Sequence, residues 1–429
     1  MTVTSGTRQE PAQRRSERSG APLPRSTEAS SGWTGRLGHA LDRPLASYHL
    51  VRGVVALLLV LGLVMVLSAS SVVAQEETAS SYSLFVTQAI LMAVGLPVLW
   101  IASRTSVPMW RRVAYPALLG SVVLLVLVQI PGIGVEVNGN RNWLEFGGPF
   151  RLQPSEAAKF ALILFGADVL TRKRKLLGQW RHLLVPLLPI GGALIGLILL
   201  GRDLGTAMIL IAILLSLLWV VGAPLRLFAA ATVAVALLFV SFVATSPTRL
   251  ARVTTFMDPF ASLQGSGFQG GHSQLALATG GWWGLGLGAS RQKWGTLPEA
   301  HTDFIFAIIG EELGLVGTLA VLTLFGLLTY AGLRVASRAT DSFTRLAASG
   351  VTAWIAVQAL VNVGAVIGLL PITGIPLPLV SYGGSALLST MLAVGMLASF
   401  ARREPGAADA LAARRRTSLL GVFLPTRAR

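Results

Sequence analysis

The 429-residue chain contains no cysteine, which excludes a disulfide framework and thiol chemistry. Charge is scarce too: 13% of residues are Asp, Glu, Lys or Arg, against 53% hydrophobic, and mean hydropathy is +0.67. Those values exclude an ordinary soluble domain and leave a polytopic membrane protein. Acidic residues are the rarer sign, 19 against 35 basic, for a net charge of +16. The excess invites a nucleic-acid reading, but the cations sit in tails and short loops between apolar runs. That placement fits membrane topology, and no nucleic-acid partner is expected. Soluble-enzyme signatures are missing as well: no Walker loop, no HExxH and no Ser-His-Asp order.

What the chain does have is apolar runs of spanning length, near 51–73, 84–103, 111–130, 154–171, 182–200, 204–222, 225–245, 304–333, 347–370 and 383–401. A membrane helix needs about 20 such residues. The fold expected is therefore an all-α integral membrane protein with ten transmembrane helices in residues 49–402. The fourth is interrupted by Glu156, Lys159 and Asp168. Residues 1–48, rich in Arg, Ser and Pro, read as a disordered cytoplasmic tail without a cleavable signal peptide. Residues 403–429 read as a basic cytoplasmic tail. Arg104, Arg111 and Arg112, the Arg172–Lys175 cluster, and Arg334, Arg338 and Arg345 mark alternate loops, while Gln75-Glu76-Glu77 marks the opposite side. The positive-inside rule then puts both termini in the cytoplasm.

Three loops on the outer side stand apart. Residues 131–153 are Gly-rich and carry Arg141 and Trp143. The large extracellular loop 246–302, between helices 7 and 8, carries Trp282, Trp283, Trp294, Arg249, Arg252, Arg291 and Lys293; its middle, 274–288, is apolar enough to enter the interface. Residues 370–385, with Ser381, Gly383, Gly384 and Ser385, hold too many prolines and glycines for continuous helix. Irregular backbone at membrane depth is tolerated where it is buried in protein or lines a wet cavity. One outward-opening polar cavity is the economical reading.

The stretch Arg291–Gly317 is where chemistry and membrane meet. It runs from Arg291 and Lys293 through Glu299 and His301 to Asp303, then into an apolar helix carrying Glu311 and Glu312. The plainer reading makes Thr302 and Asp303 helix caps, stabilised by the dipole. It explains Asp303 and leaves the other charges without purpose. At 100° per residue, Glu311 lies about 80° from Asp303 and Glu312 about 180° away. Glu311 is thus expected deeper in the cavity, and Glu312 against another helix. Glu156 and Lys159 share a helix face, and Arg202 and Asp203 form a second charge pair. Cations near one carboxylate suit an anionic lipid head group such as a pyrophosphate, with the carboxylate taking a proton from an attacking hydroxyl.

Three segments carry a resemblance: GASRQKWGTLPEAHTDFIFAIIGEELG, GLLPITGIPLPLVSYGGS and RNWLEFGGPFRLQPSEAAK. Together they strongly resemble the FtsW/RodA (SEDS) family over about 50–402, and the KWGTLPEAHTDFIF wording looks more like its division member than its elongation member. The resemblance implies an inverting glycosyltransferase that polymerises lipid II into glycan strands outside the cytoplasmic membrane during cell division. It implies a class B penicillin-binding protein (an FtsI-type transpeptidase) and other division proteins as partners. By motif it makes Asp303 the essential aspartate and Trp143, Glu156 and Lys159 site residues. Substrate contacts are expected from these with Arg141, Arg202, Asp203, Arg291, Lys293, Glu299, His301, Ser381, Gly383, Gly384 and Ser385. A divalent cation (Mg or Mn) at the pyrophosphate is left open. One departure stands out: Gly201-Arg202 precede Asp203 where the family has Gln-Pro. The rivals are a lipid II flippase, a division scaffold with a vestigial cavity, and the elongation-type polymerase.

Overall fold

The computed structural model describes residues 45–407 and 410, apart from 79, 138, 146, 148–150, 186, 246–249, 251–255, 257–259, 261–266 and 296. The expectations for most of both tails, and for the centre of the 246–302 loop with Arg249 and Arg252, lie outside these. Helices α1 (Ala46–Thr78), α2 (Ser83–Arg104) and α3 (Val107–Gln129) come first, followed by strands β1 (Gly134–Val137), β2 (Asn140–Glu145) and β3 (Arg151–Leu152). Then come α4 (Pro154–Arg172), α5 (Trp180–Leu184), α6 (Leu187–Leu200), α7 (Leu204–Val221) and α8 (Leu225–Ala244). The last four are α9 (Phe268–Gly280), α10 (Ile305–Arg338), α11 (Ser342–Val366) and α12 (Gly384–Ala401).

Among the described residues, eight helical segments are long and apolar enough to cross a membrane: α1, α2, α3, 180–200, α7, α10, α11 and α12. Helix α4 is not one of them, because it carries Glu156, Lys159, Asp168 and Arg172. It survives among apolar neighbours because it is the centre of the bundle, with 16 of its 19 residues buried. Helices α3, α7 and α11 pack around it. Its charges are neutralised inside protein: Asp168 accepts from Arg111 at 2.7 Å and Arg172 at 2.5 Å, and Lys159 donates to Glu156 at 2.8 Å. Carboxylates at such depth are expensive unless paired in this way.

Departures from the sequence expectation shape the candidate site. The chain is mostly helical rather than all-α, since 131–153 contains a three-stranded antiparallel sheet in the order β1-β2-β3. Val137 pairs with Asn140, and Gly139 between them has φ +78°, the left-handed conformation such hairpins need. Helix α11 also starts five residues earlier than the hydropathy run, because Asp341 caps it by accepting from the Thr344 amide at 2.9 Å.

A third departure is in α10, expected as one continuous helix. Gly314 breaks it with φ 68° and ψ −162°. The turn after α9 fills the break. The amides of Leu285 and Gly286 donate to the carbonyls of Glu311 and Glu312 at 2.9 and 3.0 Å. In return, the amides of Leu315 and Val316 donate to Gly281 and Trp282 at 2.9 and 3.3 Å. A broken helix is tolerated at membrane depth only when its freed backbone groups find partners in protein. Trp282 and Trp283, on that turn, are exposed, as interfacial tryptophans are.

Candidate active site

Asp303 lies in the turn that precedes α10. The turn closes on Glu299, whose carbonyl accepts from the amides of Thr302 at 3.1 Å and Phe304 at 3.2 Å; Glu299 itself has φ 58°. The N-cap of α10 is Phe304, with no side-chain hydrogen bond. The Thr302 hydroxyl donates to the Glu299 carboxylate at 2.7 Å instead. Neither Thr302 nor Asp303 caps the helix, so the plainer explanation of Asp303 fails on geometry.

The surroundings of Asp303 come from four elements. Its carbonyl accepts from Asn362 on α11 at 2.6 Å. Its carboxylate lies against Gly374, where an added Cβ would stand 3.6 Å from Oδ2. The Ser381 hydroxyl donates to the Thr302 carbonyl at 2.6 Å, and the Tyr382 amide to the His301 carbonyl at 2.9 Å. Among the described residues no donor reaches the Asp303 carboxylate. Burial, then the Glu299 and Asp203 carboxylates, push it from the usual 3.8 up to about 7. A carboxyl poised there is suited to general-base work near neutral pH.

The other expected site residues divide in two. Asp203, one source of that charge, caps α7, accepting from the Thr206 amide at 2.9 Å, the Thr206 hydroxyl at 2.7 Å and Gln153 at 3.1 Å. Arg202 beside it is exposed, adopts φ 64°, and donates to the Gly139 carbonyl at 3.2 Å. This ties the turn to the hairpin that carries half-buried Trp143 and Arg141, the latter 3.7 Å from Glu136. Ser385 accepts from the Gln153 amide at 3.2 Å, and Gly383 and Gly384 open α12 beside it. Asp303, Glu299, His301, Asp203, Arg202, Ser381 and Ser385 thus join one hydrogen-bonded and electrostatic neighbourhood.

Several expected substrate contacts are engaged elsewhere. Lys159 is buried, donates to Glu156 at 2.8 Å and Gln358 at 2.9 Å, and lies 4.8 Å from the Trp354 ring centre. Its ammonium does not face an open cavity, and neither does Glu156. Lys293 is 4% exposed and donates to the Gly288 carbonyl at 2.6 Å, with Glu312 and Ser68 each 3.5 Å away. The expectation that Glu311 lines the cavity is corrected. Its fully buried carboxylate accepts from Ser290 at 2.5 Å and from the amides of Arg291 and Gln292 at 2.9 and 3.4 Å. Glu312 does face another helix, accepting from Ser68 of α1 at 2.6 Å. These glutamates hold the 288–293 segment because buried backbone amides need acceptors. A cavity of about 700 Å³ lies there, between α1 and Leu287–Trp294, and does not include Asp303.

Sequence reading passed over Gln358 and Asn362. Gln358 donates to the Pro376 carbonyl at 2.9 Å while accepting from Lys159 and from Trp354 at 2.7 Å. Asn362 also donates to the Ile375 carbonyl, at 2.8 Å. Two amides four residues apart in an apolar helix share a face, and that spacing was the available signal.

These features define a multi-pass membrane protein with a carboxylate lacking hydrogen-bond donors, among the described residues, at the turn that opens α10. The chain belongs to the FtsW/RodA/SpoVE family of cell cycle proteins, whose family model matches residues 48–405. It is 43% identical over 380 residues to the probable peptidoglycan glycosyltransferase FtsW of Mycobacterium tuberculosis, covering 89% of this chain and 72% of that relative. It is 39% identical over 346 residues to the stage V sporulation protein E of Bacillus subtilis, covering 81% and 94%. Among solved structures, a chain from a peptidoglycan synthase complex that coordinates polymerization and crosslinking superposes with TM-score 0.67 at 29% identity, covering 82% and 96%. The rod shape determining protein RodA of Thermus thermophilus gives TM-score 0.61 at 28% identity, covering 82% and 96%.

Proposed function

We propose that this chain is a peptidoglycan glycosyltransferase that polymerises lipid II at the outer face of the cytoplasmic membrane during cell division, at the septum. The observation that carries this is the half-buried Asp303 carboxylate, set at the loop–helix junction without a hydrogen-bond donor among the described residues; desolvation and the Glu299 and Asp203 carboxylates push it up to about 7. The names of its relatives support the reaction class. In the proposed topology α4 and α8 join the eight spanning segments to make ten, both termini are cytoplasmic, and 246–302 and the Asp303 turn face outward.

The chemistry needs one base. Ionised Asp303 takes the proton from the 4-hydroxyl of the acceptor sugar as its oxygen attacks the anomeric carbon of the lipid-linked donor. The new C–O bond forms as the sugar–pyrophosphate bond breaks, and the undecaprenyl pyrophosphate leaves with the electron pair. An α donor becomes a β product in one displacement, so a second nucleophilic carboxylate has no role. Exposed Arg202 and Arg291, with Arg141, are the cations assigned to the phosphates. Glu156 and Lys159 act from within, by holding Gln358 and through it the 370–376 loop. Among the described residues no group of three or more His, Asp or Glu forms a ready metal site. A divalent cation would accordingly be held by one or two carboxylates, of which Glu299 is exposed, and by the substrate's phosphates. The proposed partner is a class B penicillin-binding protein of the FtsI type. Purified protein and partner, given lipid II in detergent, should produce glycan polymer. Failure with a folded, partner-bound preparation counts against the reading.

A further inference from the structure

We propose that Asn362 is a positioning residue for the Asp303 reaction, its one amide nitrogen clamping the backbone of the Asp303 turn to the 370–376 loop. The inference rests on Asp303 being the base and deepens that reading.

The geometry is specific. The Asn362 side-chain nitrogen donates both its hydrogens, one to the Asp303 carbonyl at 2.6 Å and one to the Ile375 carbonyl at 2.8 Å. Both partners are acceptors, so the reverse amide orientation would set an oxygen against two carbonyls and is excluded. Asn362 is 2% exposed, and its own oxygen has no partner among the described residues. A buried acceptor left without a donor is costly, yet the amide is turned to hold these two carbonyls. The Asp303 carbonyl that accepts one bond belongs to the residue bearing the reacting carboxylate, and the Ile375 carbonyl that accepts the other follows Gly374, which lies beside that carboxylate. One side chain therefore fixes both the base and the wall behind it. One turn earlier on α11, Gln358 grips the Pro376 carbonyl and is itself held by Lys159 and Trp354. The Glu156–Lys159 pair, buried out of reach of substrate, thereby braces the loop that Asn362 ties to Asp303.

A residue acting this way changes rate more than binding, because a displacement of about 1 Å at the reacting group costs on the order of 10²-fold. It also changes the surroundings in which Asp303 titrates. The charged groups acting on that carboxylate are Glu299 from its own turn and Asp203 from the turn before α7; His301, in the same turn, packs its ring against Tyr382. Helix α11 contributes neutral Asn362, and residues 370–376 contain nothing titratable. With the clamp removed, half-buried Asp303 opens further to water, and its titration falls back from about 7 toward the ordinary carboxylate range.

The test uses the full chain with its transpeptidase partner and lipid II, comparing wild type, Asp303→Asn, Asn362→Ala and Asn362→Ser across pH. Asn362→Ala is expected to lower kcat on the order of 10²-fold with KM for lipid II little changed. The acidic limb of its rate profile should move to lower pH. Asn362→Ser, which keeps one shorter donor, should recover part of the rate. Wild-type kcat in Asn362→Ala, or a reduced kcat with an unmoved pH profile, overturns the proposal. So does loss of folded protein in both variants, which would make Asn362 a folding residue. Polymer from Asp303→Asn would instead sink the underlying assignment of the base, whatever Asn362 does.

Discussion

Asp303 and the Glu311–Glu312 pair stand eight and nine residues apart on one stretch of chain, and their surroundings are opposites. Glu311 accepts three hydrogen bonds and Glu312 accepts from Ser68 and the Ser290 amide, with the Lys293 ammonium alongside. Asp303 accepts none from the described residues and has carboxylates for neighbours. A carboxylate whose lone pairs are engaged by donors holds structure. One left without donors, beside like charges, is pushed up toward neutral pH, which is what the proposed base requires. Burial differs as well, since both glutamates are fully buried and Asp303 is half-buried, but the larger contrast is in the donors.

The sharpest way to break this contrast is to neutralise each member. Asp303→Asn should lower the polymerisation rate by about 10²–10⁴-fold while thermal stability is unchanged or slightly higher. A folded Asp303→Asn protein with near-normal rate would erase the distinction. Glu312→Ala should do the reverse. It leaves Lys293 buried without its counter-charge, a loss of about 3–5 kcal/mol of stability, readable as a lower melting temperature in detergent. If Glu312→Ala melts like wild type, the clamp is not what holds the 288–293 segment.

A third test sharpens the comparison through pH. Polymerisation should rise as pH climbs through about 7, since only ionised Asp303 accepts a proton. The linked stability runs the other way. The carboxyl is raised in the fold, so its contribution is fully present below the unfolded value near 3.8 and is lost as pH rises through about 7. Melting curves across that window should fall in wild type and flatten in Asp303→Asn; parallel curves would deny the shift. The smallest effect is expected at Arg202, which holds φ 64° at a position any side chain finds strained. Arg202→Gly should gain about 1 kcal/mol from the backbone while lowering the rate only a few-fold, measured by melting temperature and initial rate.

The loop-to-helix junction was legible in residues 291–317, because Pro298 and the polar-to-apolar seam place the start of the helix just after Asp303. The bundle was legible too, since lipid demands long apolar runs. What the sequence hid was the direction in which buried charges face. Lys159 reads as a phosphate ligand until Gln358 and Trp354 are seen around it, and Glu311 reads as a cavity residue because helical phase says nothing of a loop packed alongside. The break at Gly314 was hidden because a glycine in an apolar run looks the same whether its helix continues or not. The sheet in 131–153 was signalled by Asn138-Gly139, but loop composition outweighed that dipeptide.

The break in α10 has a consequence for how the chain enters the bilayer. Four backbone groups around Gly314 are satisfied, among the described residues, by 281–286, and each would cost several kcal/mol if left bare in hydrocarbon. Chain order makes that turn first, so it is already synthesised when α10 leaves the ribosome. The unit that partitions into the membrane is then the turn and α10 together, rather than a lone helix. Replacing 281–286 by a Gly-Ser linker of equal length should leave α10 poorly inserted, detectable as protease access at residues near 314, while α11 and α12 still enter. Insertion of α10 unaltered by that linker would mean that the helix partitions alone and acquires its partner turn afterwards.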